Sequence, residues 1–195
     1  MIKGRPLSFD REAVLDKALE LFWHRGYESL GMSELLEEMG IPRQSFYNTF
    51  GNKEEVFLEA FQLYCRRMRT TFVGILASAN SPLDGLHKMF DYIEGMAQNN
   101  ECAGCLVGNT LAEFGQHNPR ISAAVEEAMA AKEDMLIGAF QAAIDAGELK
   151  TSHTAHALAT TMMTLNQGLA LMSKSGRPPE DLLRTLQTTR ELLLN

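Results

Sequence analysis

The sequence contains few of the residues that build disulfide-bonded or membrane-spanning proteins. It has three cysteines and six prolines among 195 residues, and a single tryptophan. No apolar run approaches the roughly 20 residues that cross a bilayer. The first ten residues, MIKGRPLSFD, lack the apolar centre of a secretory signal. A small, odd number of cysteines without such a signal is typical of a reducing compartment, so we expect a cytoplasmic protein without a membrane segment.

The sequence also lacks the common signatures of enzymes and metal proteins. It has no Gly-rich nucleotide loop and no GxSxG motif. The five histidines are scattered along the chain. The closest pair, His153 and His156, has the spacing of two residues on one helix face, a pattern more typical of surface residues than of metal ligands. We therefore predict no catalytic residues, no metal site and no cofactor.

The motif Cys102-Ala103-Gly104-Cys105 leaves three interpretations open: a redox dithiol, half of a zinc site, or two packed thiols. Zinc needs about two more ligands, for which Cys65 and His117 are the candidates. A thioredoxin-type enzyme needs β-strands, which this sequence does not predict. Cys105 lies at a predicted helix N-terminus, where the helix dipole favours a thiolate. A sensor thiol, and a thiol redox protein using Cys102 and Cys105, therefore stay as alternatives to packed thiols.

The composition that is present favours helices and an ordinary globular protein. Hydrophobic residues make up 45% of the chain and charged residues 22%. The net charge of −7 is unevenly distributed. Residues 1–70 carry ten Lys and Arg against eleven Asp and Glu, whereas residues 71–195 carry eight against fourteen. Nucleic-acid binding by the first part would thus depend on the placement of a few cations rather than on a broad positive field.

The stretch GMSELLEEMGIPRQSFYNTFGNK, residues 31–53, predicts two short helices joined by a tight turn. The apolar residues of its first half recur at helical spacing: Met32, Leu35, Leu36 and Met39. Gly40 ends that helix because glycine enters the left-handed conformation without steric cost. Pro42 suits the first turn of the next helix, where its missing N–H is no loss.

The second of these helices, from about Arg43 to Phe50, has two contrasting faces. Phe46 and Phe50 share a face with Ile41 that can pack on the first helix. The side chains that point away are Arg43, Gln44, Tyr47 and Asn48. Amides can bond bidentately to adenine edges, while Arg and Tyr reach phosphates or bases. The pattern is that of a recognition helix in a major groove, and also of a helical hairpin with a polar solvent face.

The flanking residues carry a resemblance to a known family. The run GYESLGMSELLEEMGIPRQSFYNTFGNKEEVF resembles the DNA-binding segment of the TetR family of bacterial one-component repressors. The matching features are Gly26-Tyr27, the MGI turn, Ser45-Phe46-Tyr47, Phe50 and Asn52-Lys53-Glu54. The resemblance is specific over about residues 3–60. It extends back through the cationic segment Lys3-Gly4-Arg5-Pro6, which is either a DNA-binding arm or a disordered terminus.

The resemblance implies an all-α fold of about nine helices in two domains. Residues 1–52 would form a three-helix helix-turn-helix DNA-binding domain, and residues 53–195 a helical ligand-binding and dimerisation domain. The partners implied are a palindromic double-stranded DNA operator, a second copy of the chain, and a small-molecule or thiol-reactive inducer. Lys53 matches a residue that bonds a backbone phosphate in this family. The predicted DNA-binding residues are Lys3, Arg5, Arg43, Gln44, Ser45, Tyr47, Asn48 and Lys53.

The helices of the second part have Met-rich and aromatic faces. Such faces suit an adaptable apolar ligand site and suit an ordinary core equally well. Asn109 and Glu113 lie four residues apart on a short helix, as polar contacts of a pocket or as partners of nearby backbone. The candidate ligand-binding residues are Met68, Phe72, Phe90, Met96, Asn109, Glu113, Phe140, Met162 and Gln167.

The last two helices, predicted over residues 152–173 and 180–194, are the candidate dimer surface. The first is rich in small residues that let another helix approach closely. The leucines of the second form a stripe that we expect one protomer to leave partly exposed. In the TetR family these helices pair with their copies in a four-helix interface. The predicted interface residues are Met163, Leu171, Leu182, Leu186 and Leu193.

One further local resemblance concerns the cysteine motif. The segment GCLVGNTLAEF, which begins at Gly104, resembles a TetR branch containing NemR-like regulators, in which a matching cysteine senses electrophiles. This resemblance implies a sensor role for Cys105. Many relatives keep the cysteine at this helix start as a small apolar residue, so the packed thiol stays the competing interpretation.

Overall fold

A computed structural model describes residues 9–98 and 104–195, and it folds them into nine α-helices without a strand among them. The predicted all-α class and helix number are confirmed. The chain divides into two compact units, one ending at Tyr64 and one beginning at Cys65. Within the described ranges, none of the helices combines the length and apolarity required to cross a membrane.

The first unit contains α1 (Arg11–Arg25), α2 (Met32–Met39), α3 (Arg43–Phe50) and the beginning of α4 (Lys53–Ala77). Local signals place the helix starts. The Asp10 carboxylate accepts hydrogen bonds from the backbone N–H groups of Glu12 and Ala13 at 3.0 and 3.4 Å. The Asn52 side chain accepts one from the Glu55 N–H at 3.0 Å.

The turn between α2 and α3 forms as its residues predict. Gly40 has φ +71° and ψ +31°, and its N–H bonds the carbonyl groups of Leu36 and Glu37. A residue with a Cβ atom would be strained in this left-handed conformation. Leu35 and Met39 of α2 are buried against the core, as are Phe46 and Phe50 of α3. The two-faced pattern of both helices is thus confirmed.

Thr49 of α3 offers a stability test of this unit. Its Oγ1 is buried, and no described residue gives it a hydrogen-bond partner. An unsatisfied buried hydroxyl costs about 1–3 kcal/mol. Thr49→Val keeps the shape and removes the hydroxyl, so it should raise the midpoint of thermal unfolding by about 2–4 °C for each kcal/mol recovered. Thr49→Ser, which keeps the hydroxyl and loses the methyl group, should lower it. A lower midpoint in the valine variant would contradict this expectation.

The second unit holds the remainder of α4 and five more helices. They are α5 (Pro82–Gln98), α6 (Leu106–Phe114), α7 (Pro119–Asp145), α8 (Ala155–Lys174) and α9 (Pro179–Leu194). Helix α7 packs along α8, and α9 packs on both α5 and α8. The core includes Leu86, Phe90, Leu136, Phe140 and Met162, none of which exposes a measurable fraction of its surface.

Arg190 ties α9 to α5. Its Nη2 donates to the carbonyl oxygen of His87 at 2.7 Å, and its Nε donates to Nδ1 of the same residue at 3.2 Å. Its guanidinium also pairs with Asp91, and with Glu94 at 3.5 Å. These contacts join α9 to α5, the helix on which it also packs.

The expected exposed leucine stripe on α9 is wrong. Leu182, Leu186 and Leu193 expose 6%, 1% and 7% of their surface, and Leu194 is buried as well. A single chain covers them because α9 lies against α5 and α8 within the same core. Met163 is buried in that core too. The large apolar side chains that are exposed on α8 and α9 are Leu171, Met172 and Leu192.

Candidate nucleic-acid interface

The outer face of α3 presents four polar side chains in two pairs. Arg43 Nη2 lies 3.4 Å from the Tyr47 hydroxyl, and its guanidinium lies 5.6 Å from the centre of the Tyr47 ring. Gln44 Nε2 donates to Asn48 Oδ1 at 3.0 Å. All four residues are exposed. Residues four apart on a helix share a face, so both pairs present hydrogen-bonding groups outward from one short surface.

The inner face of α3 holds this surface in place. Phe46 is fully buried and Phe50 is 3% exposed, while the turn residue Ile41 is 6% exposed. The Arg11 guanidinium lies 5.1 Å from the centre of the Phe50 ring and pairs with Glu59 of α4 at 2.5 Å. The buried inner face of α3 and the Arg11 contacts therefore hold this helix against the core of the first unit. Its outer side chains project from a helix that is fixed in place.

Lys53 and Ser45 complete the described part of the predicted set. Ser45 is half-buried beside the outward residues of α3. Lys53 is the first residue of α4, and its Nζ lies 4.2 Å from the centre of the Tyr27 ring. Nothing in the sequence predicted that Tyr27 would contact Lys53. Only the Gly26-Tyr27 dipeptide pointed to this position, and no spacing rule links it to Lys53. The predicted arm residues Lys3 and Arg5 lie outside the described residues.

The cysteines of the second unit do not form a metal site among the described residues. Cys102 lies outside those residues. Cys105 is the N-cap residue of α6, and Gln167 Nε2 of α8 donates to its Sγ at 3.8 Å. Burial, together with the neighbouring Cys105 thiol, raises the pKa of Cys65 to about 12. The sensor role of Cys105 stays a prediction.

The raised pKa of Cys65 predicts slow alkylation. At pH 8, a thiol of pKa about 12 is ionised about a thousandfold less than one at the ordinary 9.0. Iodoacetamide should therefore modify Cys65 much more slowly in the folded protein than in urea at the same pH, by a factor of more than about ten. Peptide mass mapping over time measures this. Equal alkylation rates in the folded and the denatured protein would contradict the raised pKa of Cys65.

The candidate ligand-binding residues separate into two groups. Phe90, Phe140 and Met162 are fully buried in the core of the second unit, with Phe72 packed against it. Gln167 lies against α6, where a Cβ atom on Gly108 would collide with its Oε1. The other four are half-buried: Met68, Met96, Asn109 and Glu113. A surface groove of about 530 Å³, lined by residues such as Leu76, Pro82 and Met135, contains none of the nine.

Family models match both parts of the chain. The model described as "Bacterial regulatory proteins, tetR family" matches residues 14–60. The model described as "Tetracyclin repressor-like, C-terminal domain" matches residues 82–189, which is more than half of the chain. The helix-turn-helix head and the helical second unit thus define a bacterial DNA-binding regulator. The chain belongs to the TetR family, as the local resemblance implied.

Individual relatives agree with this assignment. The transcriptional regulator AcuR of Cereibacter sphaeroides is 30% identical over 190 residues, which cover 92% of this chain and 85% of AcuR. The transcriptional repressor ComR of Escherichia coli is 27% identical over 194 residues, covering 97% and 91%. A solved structure of the TetR-family regulator CifR, a cysteine mutant complexed with 26-base-pair operator DNA, is 26% identical with a TM-score of 0.83, covering 97% and 100%.

Proposed function

We propose that this regulator is a repressor that binds a palindromic operator as a homodimer and is released by a small-molecule or thiol-reactive inducer. The observation that carries the proposal is the outer face of α3. Its exposed guanidinium, phenol and two amides stand on a helix whose other face is buried. A surface of this composition is suited to base edges and phosphates in a major groove. DNA as its target agrees with the predicted cytoplasmic location.

The proposed contacts divide into two kinds. Gln44 and Asn48 supply amides for base edges, whereas Arg43, Ser45 and Tyr47 reach bases or phosphates. Lys53 supplies a cation for the backbone at the start of α4, and Lys3 and Arg5 extend the contact from the arm. A dimer would place two copies of α3 in successive major grooves, about 34–36 Å apart. Because residues 1–70 are close to neutral overall, specificity depends on this geometry rather than on net charge.

The proposed dimer surface lies on α8 and α9, but it uses other residues than the leucine stripe. Leu171, Met172 and Leu192 expose 62%, 43% and 76% of their surface. A pairing of α8 and α9 with their copies, which the family resemblance implies, would cover these exposed apolar side chains. Met163, Leu182, Leu186 and Leu193 support it from inside the protomer.

Leu171→Glu tests the dimer. Charge introduced into an apolar interface should shift the protein from dimer to monomer, as measured by size-exclusion chromatography with light scattering. Val73→Glu is the matched control, since Val73 is 50% exposed on α4, outside the proposed surface. A monomeric wild-type protein, or a Leu171→Glu variant that stays dimeric, would remove the proposed interface.

For the inducer, the proposal leaves two routes open. A small molecule, or modification of Cys105 by an electrophile or oxidant, would favour a conformation of lower operator affinity, with a coupling of about 1–3 kcal/mol. The hydrogen bond between Gln167 and Cys105 Sγ joins α8 to the start of α6, and modification of the sulfur would break it. The rival thiol redox enzyme, which would use Cys102 and Cys105, is less favoured, since the described residues show none of the strands that a thioredoxin-type site follows.

The test begins with DNA selection. Purified protein is mixed with a pool of randomised duplexes of about 30 base pairs, which is long enough for two half-sites one helical turn apart. We expect enrichment of a palindrome, retarded migration of that duplex, and its release by compounds found in a screen. Cys105→Ser should abolish release by thiol-reactive compounds while keeping release by other ligands. Failure to enrich any sequence would overturn the proposed function.

A further inference from the structure

We propose that Tyr27 is a positioning residue for DNA binding, whose ring holds the Lys53 ammonium where it meets a backbone phosphate. The inference rests on the proposed function, because it requires Lys53 to contact DNA. Its starting observation is the distance of 4.2 Å between Lys53 Nζ and the centre of the Tyr27 ring. A cation within about 6 Å of an aromatic face is attracted by the ring quadrupole.

The Tyr27 ring is itself held by two buried aromatic residues. Phe22 stacks on it with ring centres 6.0 Å apart and planes 21° apart. Phe57 meets it at 5.2 Å with an interplanar angle of 73°. Phe22 and Phe57 expose 1% and 2% of their surface, and they also contact each other at 5.1 Å. The packing of Phe22 and Phe57 therefore fixes the position of the Tyr27 ring. Because the Lys53 ammonium lies against this ring, its position is restricted as well.

Lys53 needs such a support because of its chemistry. A lysine side chain is flexible, and ordering it on DNA costs rotamer entropy. If the ammonium is already held over a ring, the rotamer entropy is lost when the protein folds, and less is lost when DNA binds. The ammonium carries three N–H donors, and a phosphate oxygen accepts from such donors. Lys53 is only half-exposed, in agreement with a side chain that lies against the protein.

The competing explanation is that Tyr27 only packs the first unit, and that its contact with Lys53 has no effect on DNA. Loss of packing would lower stability and weaken binding regardless of the residue at position 53. Loss of positioning would weaken binding only where the Lys53 ammonium is present. A double-mutant cycle separates the two explanations.

The cycle uses Tyr27→Leu, Lys53→Met and the double variant, all in the full chain, with the duplex that wild-type protein selects from the randomised pool. Tyr27→Leu should weaken binding about four- to twenty-five-fold, since each of two half-sites loses roughly two- to fivefold. In the Lys53→Met variant, Tyr27→Leu should weaken the affinity for the duplex by less than about twofold. Tyr27→Phe, which keeps the ring face, should recover most of the lost affinity. Circular dichroism melts establish that each variant is folded.

Salt dependence identifies the role of Lys53 separately. Lys53→Met should reduce the slope of log affinity against log salt by about 0.9 for each half-site, whereas Tyr27→Leu, which keeps the charge, should leave the slope near its wild-type value. As a measurement that needs no variant, the Lys53 ε-methylene protons should show an upfield ring-current shift in the DNA complex. If Tyr27→Leu does not fold, this shift alone tests whether the Tyr27 ring still contacts Lys53 in the DNA complex.

The outcomes separate the two proposals. If the wild-type protein selects no duplex, the proposed function fails and this inference fails with it. If the protein binds a selected duplex but Lys53→Met changes neither affinity nor slope, the inference fails while DNA binding stands. If Tyr27→Leu weakens binding equally in both backgrounds, or the ring-current shift disappears on DNA, Tyr27 is not a positioning residue. A coupled loss with rescue by phenylalanine supports the proposal.

Discussion

Replacing Tyr47 by alanine should weaken binding to the selected operator by about 10- to 100-fold, because a lost base or phosphate contact costs about 1–3 kcal/mol. Tyr47 is 39% exposed, and its hydroxyl and ring both contact Arg43. The alanine variant therefore removes one proposed DNA contact and the support of a second proposed contact, Arg43. Because the side chain lies outside the core, the unfolding midpoint should stay within about 2 °C of wild type. Fluorescence anisotropy with labelled duplex measures the affinity.

Tyr47→Phe is the matched control for this variant. It keeps the ring beside the Arg43 guanidinium and removes only the hydroxyl. An intermediate loss would show that the hydroxyl and the ring both contribute. Wild-type affinity in the alanine variant, with a retained fold, would remove Tyr47 from the interface and leave the outer face of α3 without its central aromatic contact.

Replacing Phe140 by alanine should lower the free energy of unfolding by about 3–5 kcal/mol. Phe140 is fully buried in the core of the second unit with Phe90 and Met162. Truncation of a large side chain in such a place removes contacts and leaves a cavity. Urea unfolding followed by circular dichroism measures the effect. The same experiment tests the prediction that Phe140 binds a ligand. Truncation of a side chain that lines an open pocket would lower the free energy of unfolding much less.

Phe72→Ala is the control for Phe140→Ala. Phe72 was predicted as a ligand contact too, yet it is only partly buried and meets Tyr92 edge-on at 5.5 Å between ring centres. Its truncation should cost less than that of Phe140. A Phe140→Ala variant as stable as wild type would mean that Phe140 faces a cavity, and it would return this residue to the candidate pocket.

The helices were predictable because the signals that start and end them are local. Asp10 caps α1, Gly40 ends α2, and Asn118 with Pro119 begins α7, each through contacts with residues only a few positions away. The outer face of α3 was predictable for the same reason. Helical spacing alone puts Phe46 and Phe50 on one side and Tyr47 on the other.

The leucines of α9 show where local reasoning failed. Their spacing predicts an apolar face, and that face exists, but spacing does not say what covers it. The structure covers Leu186 and Leu193 within one chain. Helix α9 packs on α5 and α8, and its Arg190 binds α5 about a hundred residues earlier in the chain. No local pattern encodes a contact over that separation.

The sequence by itself determined the all-α class, the helix-turn-helix segment and the polar face of α3, because capping, glycine turns and helical periodicity act between near neighbours. Only the tertiary structure decided which partners those side chains meet. It placed Lys53 over Tyr27, Gln167 beside Cys105, and the α9 leucines inside the protomer. These contacts join residues distant in sequence, and they follow from how whole helices pack rather than from the residues beside them.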